Sequence, residues 1–206
     1  ITDIDDILPR LMEGKQRIYY SMGHDDAFDQ QVMGWVNQVR RLVRSGTSPP
    51  AEFTDLAFLL NELRLIKSAA ELRLMRRAGE ISAAAHCQAM RGSAPGRYEY
   101  QLEASILHSF ADQGARFPAY NSIVGSGANA CVLHYTNNND RLRDGDLVLI
   151  DAGCEFQGYA ADITRTFPVN GKFTAEQRAI YDLVLEAQLA AIAKIKPGNT
   201  WNHPHD

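Results

Sequence analysis

Two aspartates have the spacing and the local context of metal ligands. Asp151 ends the apolar run LVLID, where packing gives no reason for a carboxylate, and Asp162 lies in the polar and β-branched run that follows. Gly158 and its polar neighbours indicate a turn between the two runs. A hairpin centred between Phe156 and Gln157 would place Asp151 directly opposite Asp162, with Cβ atoms about 5 Å apart on one face.

Two ionised carboxylates at that separation repel each other, so one takes up a proton unless a cation lies between them. A divalent cation removes this repulsion, and aspartate oxygens suit Mn²⁺, Zn²⁺ or Co²⁺. The alternative is that one aspartate pairs with Arg143 or Arg165 while the other is exposed. Spacing alone leaves both interpretations open, although a regular strand would point Arg165 away from the face that carries Asp162.

Three other residues are candidates for the same site. An imidazole at His134 can donate to a developing oxyanion or hold a scissile carbonyl, although a lone loop histidine is more often structural. Tyr120 leads into the glycine-rich run VGSG, where the backbone can approach a substrate closely, and it is a candidate substrate-binding residue. Thr164 is expected to share the face of Asp162 and to hydrogen-bond a ligating carboxylate.

The elements around these residues indicate an α+β protein in which helices pack on a mainly antiparallel sheet. Capping boxes and apolar spacing predict helices over the ranges 26–44, 56–66, 68–91, 98–113 and 174–196. Strands are predicted over 17–20, 147–150 and 159–169. The segment 46–66, with two prolines followed by a short helix, is expected to separate two domains.

Composition and charge disfavour several classes of protein. The 206 residues are 45% hydrophobic and 22% charged, which is typical of a soluble globular protein. A net charge of −4 disfavours a nucleic-acid or anionic-membrane partner, and no apolar run approaches the roughly 18 residues of a membrane span. Three widely spread cysteines form no disulfide framework, so a cytoplasmic protein is expected. The chain does not begin with Met and is expected to be an internal piece of a longer protein.

Three segments resemble the pita-bread metallopeptidases, the family that includes Xaa-Pro aminopeptidase, prolidase and methionine aminopeptidase. The first is LVLIDAGCEFQGYAADITRTFPVNGKFT, which resembles the metal-binding signature. The second is ARFPAYNSIVGSGANACVLHYTNNND, which is most similar to bacterial Xaa-Pro aminopeptidases, and the third is LRLIKSAAELRLMRRAGEISAAAH. The resemblance implies the first part of a pita-bread catalytic domain over 67–206, a linker and short helix over 46–66, and the end of an N-terminal domain over 1–45.

The resemblance also implies roles for the candidate residues. Asp151 would be a terminal ligand of one metal ion, and Asp162 would bridge two ions, which we expect to be Mn²⁺. His134 would lie beside the metals and contact substrate as a catalytic and substrate-binding residue. The family's remaining ligands, one histidine and two glutamates, are expected outside this sequence, because His203 and His205 come too early in the chain.

The implied activity is hydrolysis of the bond between an N-terminal residue and a following proline, by a water that bridges two metal ions. Substrates would be peptides with proline at the second position, and a homo-oligomer is expected. One alternative is a prolidase that cleaves Xaa-Pro dipeptides. Others are a non-catalytic pita-bread domain that binds peptides or proteins, and a metal-free, creatinase-like hydrolase; both typically depart from the two aspartates that are present here.

Overall fold

The fold was analysed in a computed structural model that describes residues 3–205. The chain divides into two compact units, Ile1–Ser68 and Ala69–Asp206. None of the helices within the described residues combines the length and the apolar character that crossing a bilayer requires.

The first unit is a small α/β arrangement. Its elements in chain order are α1 (Ile4–Met12), β1 (Arg17–Tyr20), α2 (Asp26–Arg41), a 3₁₀ turn (Val43–Ser45), β2 (Glu52–Asp55) and α3 (Leu56–Leu65). Strands β1 and β2 pair in parallel. The buried Trp35 of α2 donates its indole N–H to Asp5 Oδ1 at 2.7 Å and thereby joins α1 to α2.

Two features of this unit differ from the sequence expectation. Helix α1 is not among the predicted elements, and Pro9 inside it argues against a helix there. The segment expected as a linker and short helix contains the helix, α3, but the residues before it form β2. Strand β1, the partner of β2, is more than 30 residues away in the chain. A local pattern of prolines and polar residues therefore does not reveal the pairing.

Within the described residues, the second unit contains three α-helices and the strands that carry the candidate site. Its elements are α4 (Ala69–Gly92), α5 (Glu99–Asp112), β3 (Phe117–Pro118), β4 (Ile123–Ser126), a 3₁₀ turn (Gly127–Cys131), β5 (Leu147–Asp151), β6 (Cys154–Phe156), β7 (Tyr159–Ala160), β8 (Thr164–Pro168) and α6 (Ala175–Lys194). They form two three-stranded antiparallel sheets, with strand orders β3-β6-β7 and β4-β5-β8.

The helices of this unit begin where the sequence predicts. Gln101 accepts from the backbone N–H of Tyr98 at 2.9 Å at the start of α5. Thr174 and Gln177 form the predicted reciprocal capping box at the start of α6. The core between α4, α5 and β5 consists of fully buried apolar side chains, among them Ala78, Ile81, Ala85, Leu102, Ile106, Phe110, Val148 and Ile150.

The hairpin turn lies one residue later than predicted. Phe156 pairs with Tyr159, so the turn residues are Gln157 and Gly158 instead of a centre between Phe156 and Gln157. Both turn residues have positive φ, 50° and 87°. A two-residue hairpin turn of the favoured type needs positive φ at both central positions, and Gly158 adopts it without steric cost. The turn chemistry therefore centres the hairpin between Gln157 and Gly158.

This shift corrects the predicted pairing of the two aspartates. Asp151 pairs with Thr164, two residues away from the expected partner Asp162. The predicted strand 159–169 is also interrupted at residues 161–163, so Asp162 lies between β7 and β8. The expectation that Asp151 and Asp162 are directly opposed on adjacent strands is wrong.

Candidate metal and substrate site

The two aspartates nevertheless converge on one tyrosine. The hydroxyl oxygen of Tyr120 lies 2.5 Å from Asp151 Oδ1 and 3.0 Å from Asp162 Oδ1. Since both carboxylate oxygens lie within 3.0 Å of the same atom, they cannot be more than twice that distance apart. The predicted proximity therefore holds although the predicted pairing does not.

Strand β5 positions Asp151. It is the central strand of its sheet, and Asp151 stands at its end between Ile123 of β4 and Thr164 of β8. Asp151 is half-buried, whereas Asp162 is exposed. Thr164 lines a pocket with Asp151 and is thus beside the carboxylate; its proposed hydrogen bond to a ligating carboxylate stays a prediction.

Close backbone contact between two segments positions Asp162. The N–H of Ala152 donates to the carbonyl of Ile163 at 3.1 Å, and the N–H of Ala161 donates to the carbonyl of Cys154 at 2.9 Å. Between them, a Cβ added to Gly153 would lie 1.7 Å from the carbonyl oxygen of Ala161. The approach that brings the aspartates together therefore requires glycine at position 153.

His134 completes the group of predicted site residues. Its side chain is exposed and lines one pocket with Tyr120, Asn121, Ile123, Thr136, Asp151 and Asp162. Its backbone has φ of 56°, in the left-handed region that residues other than glycine rarely adopt. Such strain persists where surrounding contacts fix the conformation, and it concentrates at functional sites.

The electrostatic environment keeps Tyr120 a hydrogen-bond donor. Burial raises the pKa of the Tyr120 phenol above its ordinary value, and the hydrogen bonds to Asp151 and Asp162 raise it further. Within residues 3–205, neither aspartate forms an ion pair with Arg143 or Arg165. Arg165 instead donates to the carbonyl of Thr164 at 2.7 Å. In this part of the chain, therefore, no arginine forms an ion pair that would neutralise either aspartate.

The chemistry of this group fits a divalent cation. Two converging carboxylates repel each other, and their oxygens are ligands that hard and borderline divalent ions accept. Among the described residues, no three His, Cys, Asp or Glu side chains come together as a metal-binding group. The described part of the chain therefore offers two carboxylates to a metal, and a complete coordination shell needs further ligands.

Two residues close to the site are missing from the sequence analysis. His86 of α4 is buried, and its Nε2 lies 2.9 Å from the carbonyl oxygen of Ala152, the residue after Asp151. Burial lowers the pKa of His86, which favours a neutral ring that donates from Nε2. The available signal is the single polar side chain in the run AAAH. The other residue is Glu99, a fully buried carboxylate at the start of α5. Glutamates are almost never fully buried, so the sequence gives no reason to expect one in the core.

Comparisons with known proteins agree with this geometry. Metallopeptidase family M24 matches residues 73–206. The chain is 48% identical over 199 residues to the Xaa-Pro aminopeptidase of Escherichia coli strain K12, covering 97% of this chain and 45% of that protein. It therefore spans less than half the length of this relative.

Solved structures show the same fold. Aminopeptidase PepP of Pseudomonas aeruginosa superposes with a TM-score of 0.95 at 54% identity, over 99% of this chain and 46% of that one. Zinc-substituted Escherichia coli aminopeptidase P in complex with product gives 0.94 at 47% identity, with the same coverage. The α+β, pita-bread architecture expected from the sequence is thus confirmed for the part that this chain represents. With the family match covering well over half of its residues, the chain belongs to metallopeptidase family M24.

Proposed function

We propose that the protein carrying this chain hydrolyses the peptide bond between an N-terminal residue and a following proline, using two divalent metal ions. One observation carries the proposal: Asp151 and Asp162 converge on the Tyr120 hydroxyl beside His134. The 48% identity to an Xaa-Pro aminopeptidase supports the substrate class. The family membership supports a metal-dependent reaction.

We propose a separate role for each of four residues of this chain. Asp151 would hold one metal ion, and Asp162 would be shared by both ions. A bound pair of ions supplies an activated water and polarises the scissile carbonyl. Tyr120 orients the two carboxylates through its hydroxyl and contacts substrate, and its raised pKa keeps the donated proton in place. His134 donates to the oxygen of the scissile carbonyl as negative charge develops on it.

The identity and number of the ions belong to the proposal. Two manganese ions suit carboxylate ligands, and the related Escherichia coli enzyme has a zinc-substituted form with product. We propose that residues outside this sequence supply the remaining ligands. The share of the relatives' length that the chain spans, about 45%, supports this.

We also propose a cytoplasmic homo-oligomer that acts on peptides with proline at the second position. The acidic net charge and the three free thiols, Cys87, Cys131 and Cys154, support the location. The apolar side chains exposed on α6 support association.

The test is an assay of the full-length protein with Mn²⁺ against three substrates: a tripeptide with proline second, the matching Xaa-Pro dipeptide, and a tripeptide with alanine second. We expect the N-terminal residue to be released at a high rate only from the tripeptide with proline second. Adding a chelator should abolish this release. Faster cleavage of the dipeptide would identify a prolidase instead. No cleavage of any substrate, with metal bound, would indicate a non-catalytic binding domain.

A further inference from the structure

We propose that Glu99 is a positioning residue that holds His134 in the site by fixing both ends of the loop that carries it. The loop, here called the His134 loop, comprises residues 126–140. It leaves strand β4 at Ser126, passes through a 3₁₀ turn and His134, and ends at Asp140, whose backbone N–H bonds to Glu99.

One carboxylate oxygen of Glu99 holds the beginning of the His134 loop. Oε1 accepts from the backbone N–H of Ser126 at 2.7 Å and from its hydroxyl at 2.8 Å. It also accepts from the side-chain amide of Asn129 at 3.2 Å. These donors come from the end of β4 and from the 3₁₀ turn that follows it.

The other carboxylate oxygen holds the end of the loop. Oε2 accepts from the hydroxyl of Tyr135 at 2.8 Å and from the backbone N–H of Asp140 at 3.0 Å. Tyr135 is the residue next to His134. The Asn129 amide also lies 3.1 Å from the Tyr135 hydroxyl and 2.9 Å from Asp140 Oδ2, so the two ends are joined to each other as well.

Burial explains why this carboxylate imposes a geometry. Glu99 is fully buried, and within residues 3–205 it forms no ion pair. A buried charge without a cation is stable only where hydrogen bonds satisfy it. All five donors come from the His134 loop, and the first turn of α5 adds a favourable helix dipole. The loop must therefore adopt the one arrangement that satisfies Glu99.

The middle of the loop has little packing of its own. Val132 and Leu133 are 54% and 86% exposed, and His134 is exposed beside them. Asn138 adds one more anchor, because its side chain bonds to the backbone of Ser122 and Val124. A segment with an exposed tip takes its conformation from its ends, and the strained φ of His134 requires such external support.

The conformational role of Glu99 is independent of the reaction, and its catalytic consequence rests on the proposed function. The experiment measures both, in the full-length protein. Glu99→Gln keeps the side-chain volume but replaces one accepting oxygen with an amide that faces donors. Glu103→Gln, on the same helix and half-buried, is the matched control.

Hydrogen exchange is the first readout. In Glu99→Gln we expect the amides of Ser126 and Asp140, and the peptides between them, to exchange at least about tenfold faster, since bonds to a buried charge are lost. Exchange in α4 and β5 should remain as in the wild type, and Glu103→Gln should match the wild type throughout. If Glu99→Gln does not fold, Tyr135→Phe removes one donor to Glu99 and the contact from the Asn129 amide, and it should accelerate exchange over 126–140 to a smaller extent.

A double-mutant cycle is the second readout. Glu99→Gln should lower kcat/KM about tenfold or more, but should have little further effect in a His134→Ala background, because it acts through His134. Unchanged exchange over 126–140 in the folded variants, or equal acceleration everywhere, would overturn the proposal. Equal losses of kcat/KM with and without His134 would overturn it too. Absence of Xaa-Pro activity in the wild type would contradict the proposed function and leave the exchange result to decide the role of Glu99.

Discussion

Tyr120 places a single hydroxyl against two carboxylates, so a change of one atom tests its role. Tyr120→Phe keeps the ring and removes both contacts. Loss of a group that orients metal ligands typically costs about 10- to 100-fold in metal affinity or activity, and we expect a decrease of that size in kcat and in Mn²⁺ affinity.

Tyr100→Phe is the control for this change, because Tyr100 is 45% exposed on α5 and stacks on Tyr98. It should leave both quantities unchanged. Wild-type metal affinity and turnover in Tyr120→Phe would show that the hydroxyl does not act on the site.

His86 should make stability depend on pH. Burial lowers the pKa of His86 in the folded protein, while the unfolded chain binds a proton at about pH 6.5. The contribution of the buried, neutral His86 to the free energy of unfolding is therefore complete above that pH. It is lost as the pH falls below that value. We expect urea unfolding to show a smaller decrease between pH 7 and 5 in His86→Gln, which retains an N–H donor. His108→Gln, on the exposed side of α5, is the matched control.

At the scale of single residues, the sequence predicts which side chains come together but not how they contact one another. Residue type, turn position and the family resemblance select Asp151, Asp162, His134 and Tyr120, and the structure places all four around one pocket. The bond from Tyr120 to both carboxylates joins residues 31 and 42 positions apart. No local pattern specifies a contact over that distance.

Among the elements, the segments on either side of the hairpin turn depend on one glycine. A Cβ at position 153 would lie 1.7 Å from the carbonyl oxygen of Ala161, so Gly153→Ala forces the backbone segments that carry Asp151 and Asp162 apart. We expect a loss of about 3 kcal/mol or more in the free energy of unfolding, at or beyond the upper range for overpacked sites, measured by urea denaturation.

Gly79→Ala provides the comparison. Gly79 lies within α4 and has no heavy atom within 4 Å of an added Cβ, so alanine should be neutral or stabilise by up to about 1 kcal/mol. Equal effects of the two substitutions would show that the backbone at Gly153 can relax.

The predictability of the elements follows from how local their signals are. Capping boxes and apolar spacing define the helices within a few residues, because both act within one or two turns. Hairpin register depends on which two residues adopt positive φ. Gly158 could be either the first or the second central residue of such a turn, and the two choices give different registers. The pairing of β2 with β1 joins segments far apart in the chain. The break at 161–163 depends on backbone hydrogen bonds to residues 152 and 154 across the turn. Side-chain patterns within one segment specify neither.

For the molecule as a whole, helix α6 leaves a large apolar surface exposed. Ile180, Leu183, Val184, Leu189 and Ile192 are each more than half exposed. Exposed apolar area of this kind usually marks a surface that contacts other protein. The 206-residue chain on its own should therefore self-associate or bind a hydrophobic dye, which ultracentrifugation and dye fluorescence would detect. A monomer that binds no dye would contradict this expectation.

The isolated chain should also bind divalent metal poorly. Two carboxylates leave most coordination positions to water, so Mn²⁺ gains little over its hydrated state. Calorimetric titration of the 206-residue chain with Mn²⁺ should show weak binding. Tight binding of two ions per chain, or cleavage of an Xaa-Pro peptide by this chain alone, would show that the described residues already form a complete site.

The most direct measurement compares Asp162→Asn with wild type in the full-length protein, recording bound Mn²⁺ and cleavage of a proline tripeptide together. In the proposed site Asp162 would hold both ions, so removing its charge should weaken the binding of both, and the ions would supply the nucleophile. We predict a folded variant with reduced bound metal and no measurable turnover, while Asp112→Asn at the exposed end of α5 matches the wild type. Wild-type turnover by Asp162→Asn at a controlled Mn²⁺ concentration would contradict the assignment of the site.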